Sequence, residues 1–191
     1  MCSKFCNLLL LNLKTQKQKL KKKQIKKALI FHMERNTRQV TASNVLAFIP
    51  GSDPTKKDEV VVMSAHYDHV GIMKGEIHNG ADDDGSGTVT LMELARGFQK
   101  SVEDGNGPGR SVLFLHVSGE EKGLLGSEWY TDNPILPLEK TVCNLNVDMI
   151  GRKDVDHKGA NYVYLIGSDK LSSRLHEISE RANHKYTQLQ L

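Results

Sequence analysis

Three apolar stretches, rich in β-branched residues, each run without a break into acidic or imidazole side chains. This pattern constrains the fold of the 191-residue chain more than any other feature. Residues 59–65 (EVVVMSA) lead into His66-Tyr67-Asp68-His69. Residues 111–117 (SVLFLHV) lead into Ser118-Gly119-Glu120-Glu121, and residues 142–147 (VCNLNV) into Asp148. A near-continuous apolar run of this length is the mark of a strand buried on both faces, as in a parallel sheet covered by helices. The stretch Gly80-Ala81-Asp82-Asp83-Asp84-Gly85-Ser86-Gly87 precedes a segment, 86–100, whose Val89, Leu91, Met92, Leu94, Ala95 and Phe98 recur near helical spacing.

The remaining elements follow the same alternation. Residues 28–34 and 44–49 read as strands, with a turn at Pro50-Gly51-Ser52-Asp53-Pro54. Residues 103–110 (EDGNGPGR) read as a loop and 124–131 as a short helix. Residues 142–149 and 162–166 (YVYLI) read as further strands, and 169–185 as one helix with Leu171, Leu175, Ile178 and Ala182 on one face. The expected class is α/β with a mixed, mostly parallel sheet.

In such sheets functional groups gather where strands end. Here several strand ends and one helix start aim carboxylates and imidazoles at a single edge. Packed carboxylates repel one another and stay ionised beside a positive partner, of which a divalent cation is the strongest. A set of His with Asp and Glu suits zinc, and also cobalt or manganese. Asp68, two residues after His66, is placed to orient that histidine from the outer shell of such a site. Taken singly these signals are weak. A His-x-Asp triplet arises by chance, Asp84 or Ser86 serves equally as a helix cap, and Glu pairs are common on surfaces. Their order and shared position at strand ends carry the reading.

Charge and cysteine usage narrow the classes. Residues 1–35 hold ten Lys or Arg and one acid, whereas residues 36–191 hold 16 bases and 22 acids. A mildly acidic body argues against a nucleic-acid-binding domain. No apolar run approaches the roughly 20 residues of a membrane-spanning helix. Residues 7–13 (NLLLLNL) are short for a signal peptide, with no small-residue cleavage site after them. Residues 1–27 are expected to form a basic, solvated or frayed extension. The compartment is left open, as is the oligomeric state. Cys2, Cys6 and Cys143 make neither a disulfide framework nor a cysteine-based zinc site. Cys143 reads as a buried small residue.

The motifs HYDHVG, GADDDGSG, SGEEKGLLGS and NVDMIG, in this order, resemble the co-catalytic zinc exopeptidases of the bacterial leucyl aminopeptidase type, over roughly residues 36–190. Glutamate carboxypeptidase and the transferrin receptor belong to the wider superfamily. The resemblance implies a three-layer α/β/α fold and two zinc ions bridged by one aspartate, here Asp83. It implies His66 and Asp148 as further ligands of one metal, Glu121 as a ligand of the other, Glu120 as general base and Asp68 as outer-shell partner of His66. It also implies a cis peptide at Asp83–Asp84 and, as substrate, a peptide with a free N-terminus.

The resemblance further implies a fifth ligand, a histidine in a Ser-Asp-His stretch well downstream. The 43 residues after Asp148 contain no such stretch. His69, His78 and His116 are expected to be structural or near the site, and His157, His176 and His184 do not fit the role. The chain is therefore expected to be a partial catalytic domain over residues 28–191, truncated at both ends, its activity alone left open. Competing readings are a non-catalytic interaction module of the same fold, a related zinc carboxypeptidase or dipeptidase, and a nucleic-acid or membrane binder acting through the Lys-rich tail.

Overall fold

The computed structural model describes residues 32–34, 39–157, 159 and 161–191. The expected extension at 1–27 and most of the expected strand at 28–34 lie outside these residues, and His32–Glu34 carry no regular secondary structure. Val40–Leu191 fold as one unit.

The apolar runs become the strands of one four-stranded sheet. In chain order these are β1 (Val45–Ile49), β2 (Val60–His66), β5 (Ser111–Val117) and β6 (Thr141–Asn146), arranged β1-β5-β2-β6. β2 pairs in parallel with both β5 and β6, and β1 is antiparallel to β5. The mixed, mostly parallel sheet expected from the sequence is thus observed. His66 lies opposite Val117, so the two central strands end in the same register and release their polar termini at one edge.

Helices cover both faces, completing three layers. On one face α1 (Gly85–Glu103) sets Leu91 against Ile49, Ala65, Val112 and Phe114. Phe98 meets Phe114 edge-on with ring centres 5.8 Å apart, a favoured aromatic geometry. On the other face α2 (Leu125–Asp132) brings Tyr130 onto Val60, Val62, Leu113, Leu115 and Val117. Leu91, Leu113 and Phe114 are fully buried, so the sheet is packed most tightly along β5.

Three local expectations change. A hairpin of β3 (Gly71–Met73) and β4 (Glu76–His78) stands between the first two motifs, turned by Lys74 and Gly75, both with positive φ. That is the twist which suits a two-residue hairpin turn. Residues 162–166 are not a strand. Only Tyr162 makes a bridge, to Gln190, and Ile166 is exposed, because among the described residues no sheet strand lies alongside. The single helix expected over 169–185 is broken at Ser172 into α3 (Ser168–Leu171) and α4 (Ser173–Ala182). Ser172 is extended and its hydroxyl accepts from the Leu175 N–H, so the residue caps the second helix instead of continuing the first. A π-helical turn, Asn183–Thr187, follows α4. Among the described residues no helix is long and apolar enough to cross a membrane.

Candidate metal centre

β2 delivers His66 to the carboxyl edge of the sheet, 3% exposed. Its ring is fixed at Nδ1, which lies 2.9 Å from the main-chain oxygen of Asp68. With Nδ1 as the donor, Nε2 keeps its lone pair for a metal. The expected carboxylate of Asp68 is 3.7 Å from Nδ1, so the orienting contact passes to the backbone carbonyl of the same residue. The Asp68 side chain turns elsewhere: Oδ1 accepts from the Glu120 N–H at 3.1 Å and Oδ2 from the Glu121 N–H at 3.4 Å. It thereby holds the start of the 3-10 turn Glu120–Lys122, where the chain leaves β5 through Gly119 at φ 71°.

The three consecutive aspartates separate by what receives them. Asp84 is buried and caps α1, its Oδ1 accepting from the Gly87 N–H at 2.9 Å. It also accepts from the N–H groups of His66 and Met149 at 3.1 and 3.3 Å. Asp82 Oδ1 accepts from the Gly151 N–H at 2.7 Å, and Ser86 Oγ from the Ile150 N–H at 3.1 Å. Three successive amides after Asp148 are thus clamped by the first turn of α1 and the loop before it. The close approach requires glycine at 87, since a Cβ there would stand 2.3 Å from Val147 O and from Asp84 Oδ1. Asp83, whose peptide bond to Asp84 is cis, is left to face the histidine.

The result is a tight cluster. His66 Nε2 is 3.1 Å from Asp83 Oδ1 and 3.9 Å from both Asp148 Oδ2 and Glu120 Oε2. The ligand atoms of His66, Asp83 and Asp148 lie within 4.8 Å of one another, and those of His69, Asp83 and Glu121 form a second such group. Among the described residues, the two groups contain none of His78, His116, His157, His176 or His184. His69 is the member that sequence reasoning places only near the site. Its signal is the offset of three from His66 directly after the strand.

The electrostatics fit a cation. Burial pushes the carboxyls of Glu120 and Asp148 above their ordinary range, and mutual repulsion adds to it, with Glu121 acting on both. Nearby His66 pulls both back. For His66 burial opposes the charged form. The Asp68 carbonyl and the carboxylates of Asp148, Asp84 and Glu120 outweigh that, and its pKa is raised. His66 Nε2, His69 Nδ1 and Glu121 Oε1 are buried and make no hydrogen bond to protein. Buried polar atoms are rarely left unpaired without a ligand or ion to meet them. Imidazole nitrogen with carboxylate oxygen is a donor set for zinc. A cavity of about 330 Å³ opens beside the cluster, with His66, Glu120 and Asp148 on its wall and Leu115, Tyr130 and Leu138 farther along.

Cys143 is a half-buried free thiol whose pKa is raised by burial, consistent with a packing role.

The description of peptidase family M28 matches residues 44–190. Leucine aminopeptidase 1 of Trichophyton rubrum is 34% identical over 148 residues, which are 75% of this chain and 38% of that protein. Aminopeptidase YwaD of Bacillus subtilis is 31% identical over 146 residues, 76% of this chain and 29% of that protein. The chain therefore spans less than two-fifths of the length of these relatives. Among solved structures, an aminopeptidase from Aneurinibacillus sp. strain AM-1 superposes with a TM-score of 0.56 at 24% identity, over 75% of this chain and 32% of that one. A glutaminyl cyclase from an Acidobacteriales bacterium superposes with a TM-score of 0.51 at 25% identity, over 74% of this chain and 46% of that one.

Proposed function

This chain belongs to peptidase family M28, and from that membership we propose that it carries a two-zinc exopeptidase centre that hydrolyses the N-terminal bond of peptides. The observation that carries the reading is the placement of Glu120 Oε2 3.9 Å from His66 Nε2, beside the His66–Asp83–Asp148 cluster. His66, Asp83 and Asp148 would hold one zinc ion, and Asp83 with Glu121 the other. Two zinc ions bound there supply Lewis-acid polarisation of the scissile carbonyl and acidify a water.

The chain's own residues do the rest. Glu120, its carboxyl already pushed upward by burial, accepts a proton from the attacking water and later gives it to the leaving amine. Asp68 acts as a positioning residue, since its carboxylate holds the backbone of both Glu120 and Glu121. Asp84, Ser86 and Asp82 hold the turn that presents Asp148. A substrate with a free α-amine is favoured because the cluster is rich in carboxylates able to meet a cationic or metal-held amine.

Glu120→Gln tests the assignment. Loss of the proton carrier should lower turnover by about 10²–10⁴-fold, while zinc content stays at the wild-type level. Unchanged turnover in this variant would remove Glu120 from the chemistry.

A further inference from the structure

We infer that Asn44, which lies outside every motif that carries the site, is a positioning residue for Glu120. The inference rests on the reading of Glu120 as the proton carrier.

Glu120 sits on a turn that leaves β5 through Ser118 and passes into the first turn of α2 at Gly126. The two ends of that turn lie side by side. A Cβ on Gly126 would stand 2.7 Å from Ser118 N and 2.5 Å from Asn44 Oδ1, so glycine is what lets these groups approach. The side-chain amide of Asn44 bridges the two ends. Its Oδ1 accepts from the Ser118 N–H at 3.2 Å, and its Nδ2 donates to Gly126 O at 2.7 Å. One end offers a donor and the other an acceptor, which fixes the orientation of the amide. A primary amide on a short stem is the side chain that meets both. The partners lie 74 and 82 residues along the chain, so no local pattern links them to Asn44.

The turn is costly to hold. Gly119, Gly123 and Leu124 have φ of 71°, 107° and 61°. For a leucine that conformation persists only where the surroundings dictate it. Bonds within the turn set its shape, the N–H groups of Gly123 and Leu124 donating to Glu120 O at 2.9 Å and that of Leu125 to Gly119 O at 3.0 Å. Two side chains from other segments anchor it. Asp68 holds the tip through the N–H groups of Glu120 and Glu121, and Asn44 holds the neck. The residue before Asn44 reaches the other strand end, where Ser43 O accepts from the hydroxyl of Tyr67, between His66 and Asp68. The segment just before β1 thus clasps both loops that meet at the cluster. Without Asn44, Glu120 loses one of the two anchors that set its Oε2 3.9 Å from His66 Nε2.

The test uses the full chain and the variants Asn44→Ala and Asn44→Asp. The aspartate keeps the size and the acceptor for Ser118, and its ionised carboxylate offers Gly126 O no donor. Loaded with zinc, each variant should hydrolyse leucyl-p-nitroanilide with kcat lowered at least about tenfold, and with KM and zinc content as in wild type. Amide hydrogen exchange supplies a readout that needs no turnover. In both variants the amides of Glu120 and Glu121 should exchange at least about tenfold faster, with those of Leu113 and Phe114 in β5 unchanged. Because either variant can fail to fold, wild type is measured as well, and its Asn44 side-chain amide protons should exchange at least about tenfold more slowly than those of a free asparagine amide. Unchanged exchange at Glu120, an unprotected Asn44 amide in wild type, or equal acceleration throughout β5 would overturn the positioning role. An unchanged kcat in variants of an active wild type would overturn it too. A zinc-loaded wild type without turnover would overturn the proposed reaction instead, and the exchange rates would still decide for or against Asn44.

Discussion

Asp82, Asp83 and Asp84 carry the same side chain into three environments. Asp82 receives the Gly151 amide, Asp84 receives the amides of His66, Gly87 and Met149, and Asp83 faces His66 Nε2. Asp84 therefore joins the end of β2, the start of α1 and the turn after Asp148 in one buried carboxylate. Removing it in Asp84→Ala leaves three amides without their acceptor. At about 1–3 kcal/mol for each unsatisfied buried group, the loss should be at least about 3 kcal/mol, read as a lower urea midpoint in chelated protein. A change within about 1 kcal/mol, the worth of one ordinary hydrogen bond, would mean that Asp84 is no such hub. The run of three aspartates does not itself separate these roles. The choice of Asp83 as the expected metal-bridging residue comes from the family resemblance, and the partners that make the difference arrive from 65 and 69 residues away. A separation of 52 and 53 residues likewise hides the role of the Asp68 carboxylate, whose partners Glu120 and Glu121 lie beyond α1 and β5.

At the scale of elements, the strands and α1 are legible because their apolar residues have one burial pattern to satisfy. β5 is the clearest, five of its seven residues being buried apolar side chains between β1 and β2. The elements that differ from expectation depend on neighbours. YVYLI has the composition of a strand and lacks a partner strand among the described residues, whereas the hairpin β3–β4 is short and exposed and closes through its turn. The break at Ser172 is a contest between a side-chain cap and helix continuation, and apolar periodicity does not register it. β5 also carries a polar residue, His116, whose pKa is lowered from 6.5 by burial. The unfolded chain binds more protons at this position than the folded one. Its contribution to stability is complete above pH 6.5 and is lost as pH falls toward the lowered folded value. His116→Gln should therefore flatten the decline of the urea midpoint between about pH 7 and 5. An identical decline in wild type and variant would place the acid sensitivity elsewhere.

For the molecule as a whole, the sheet does two things at once. Its helix-covered faces bury the apolar sides of β1, β2 and β5, and its carboxyl edge gathers two histidines and four carboxylates, the carboxylates repelling one another. A protein core gains nothing from such a gathering, because burial penalises each charge, so the cluster makes sense as the receiver of cations. The fold superposes on an aminopeptidase and on a glutaminyl cyclase alike, so the fold does not by itself choose the reaction. The choice rests on Glu120 beside the cluster and on the free amine that the centre is proposed to accept. Hydrolysis by the zinc-loaded full chain of leucyl-p-nitroanilide, set against its Nα-acetylated form, tests this most directly. The account predicts release of nitroaniline from the free-amine substrate and none from the acetylated one. Equal rates on the two substrates, or no release from either with zinc bound, would contradict it.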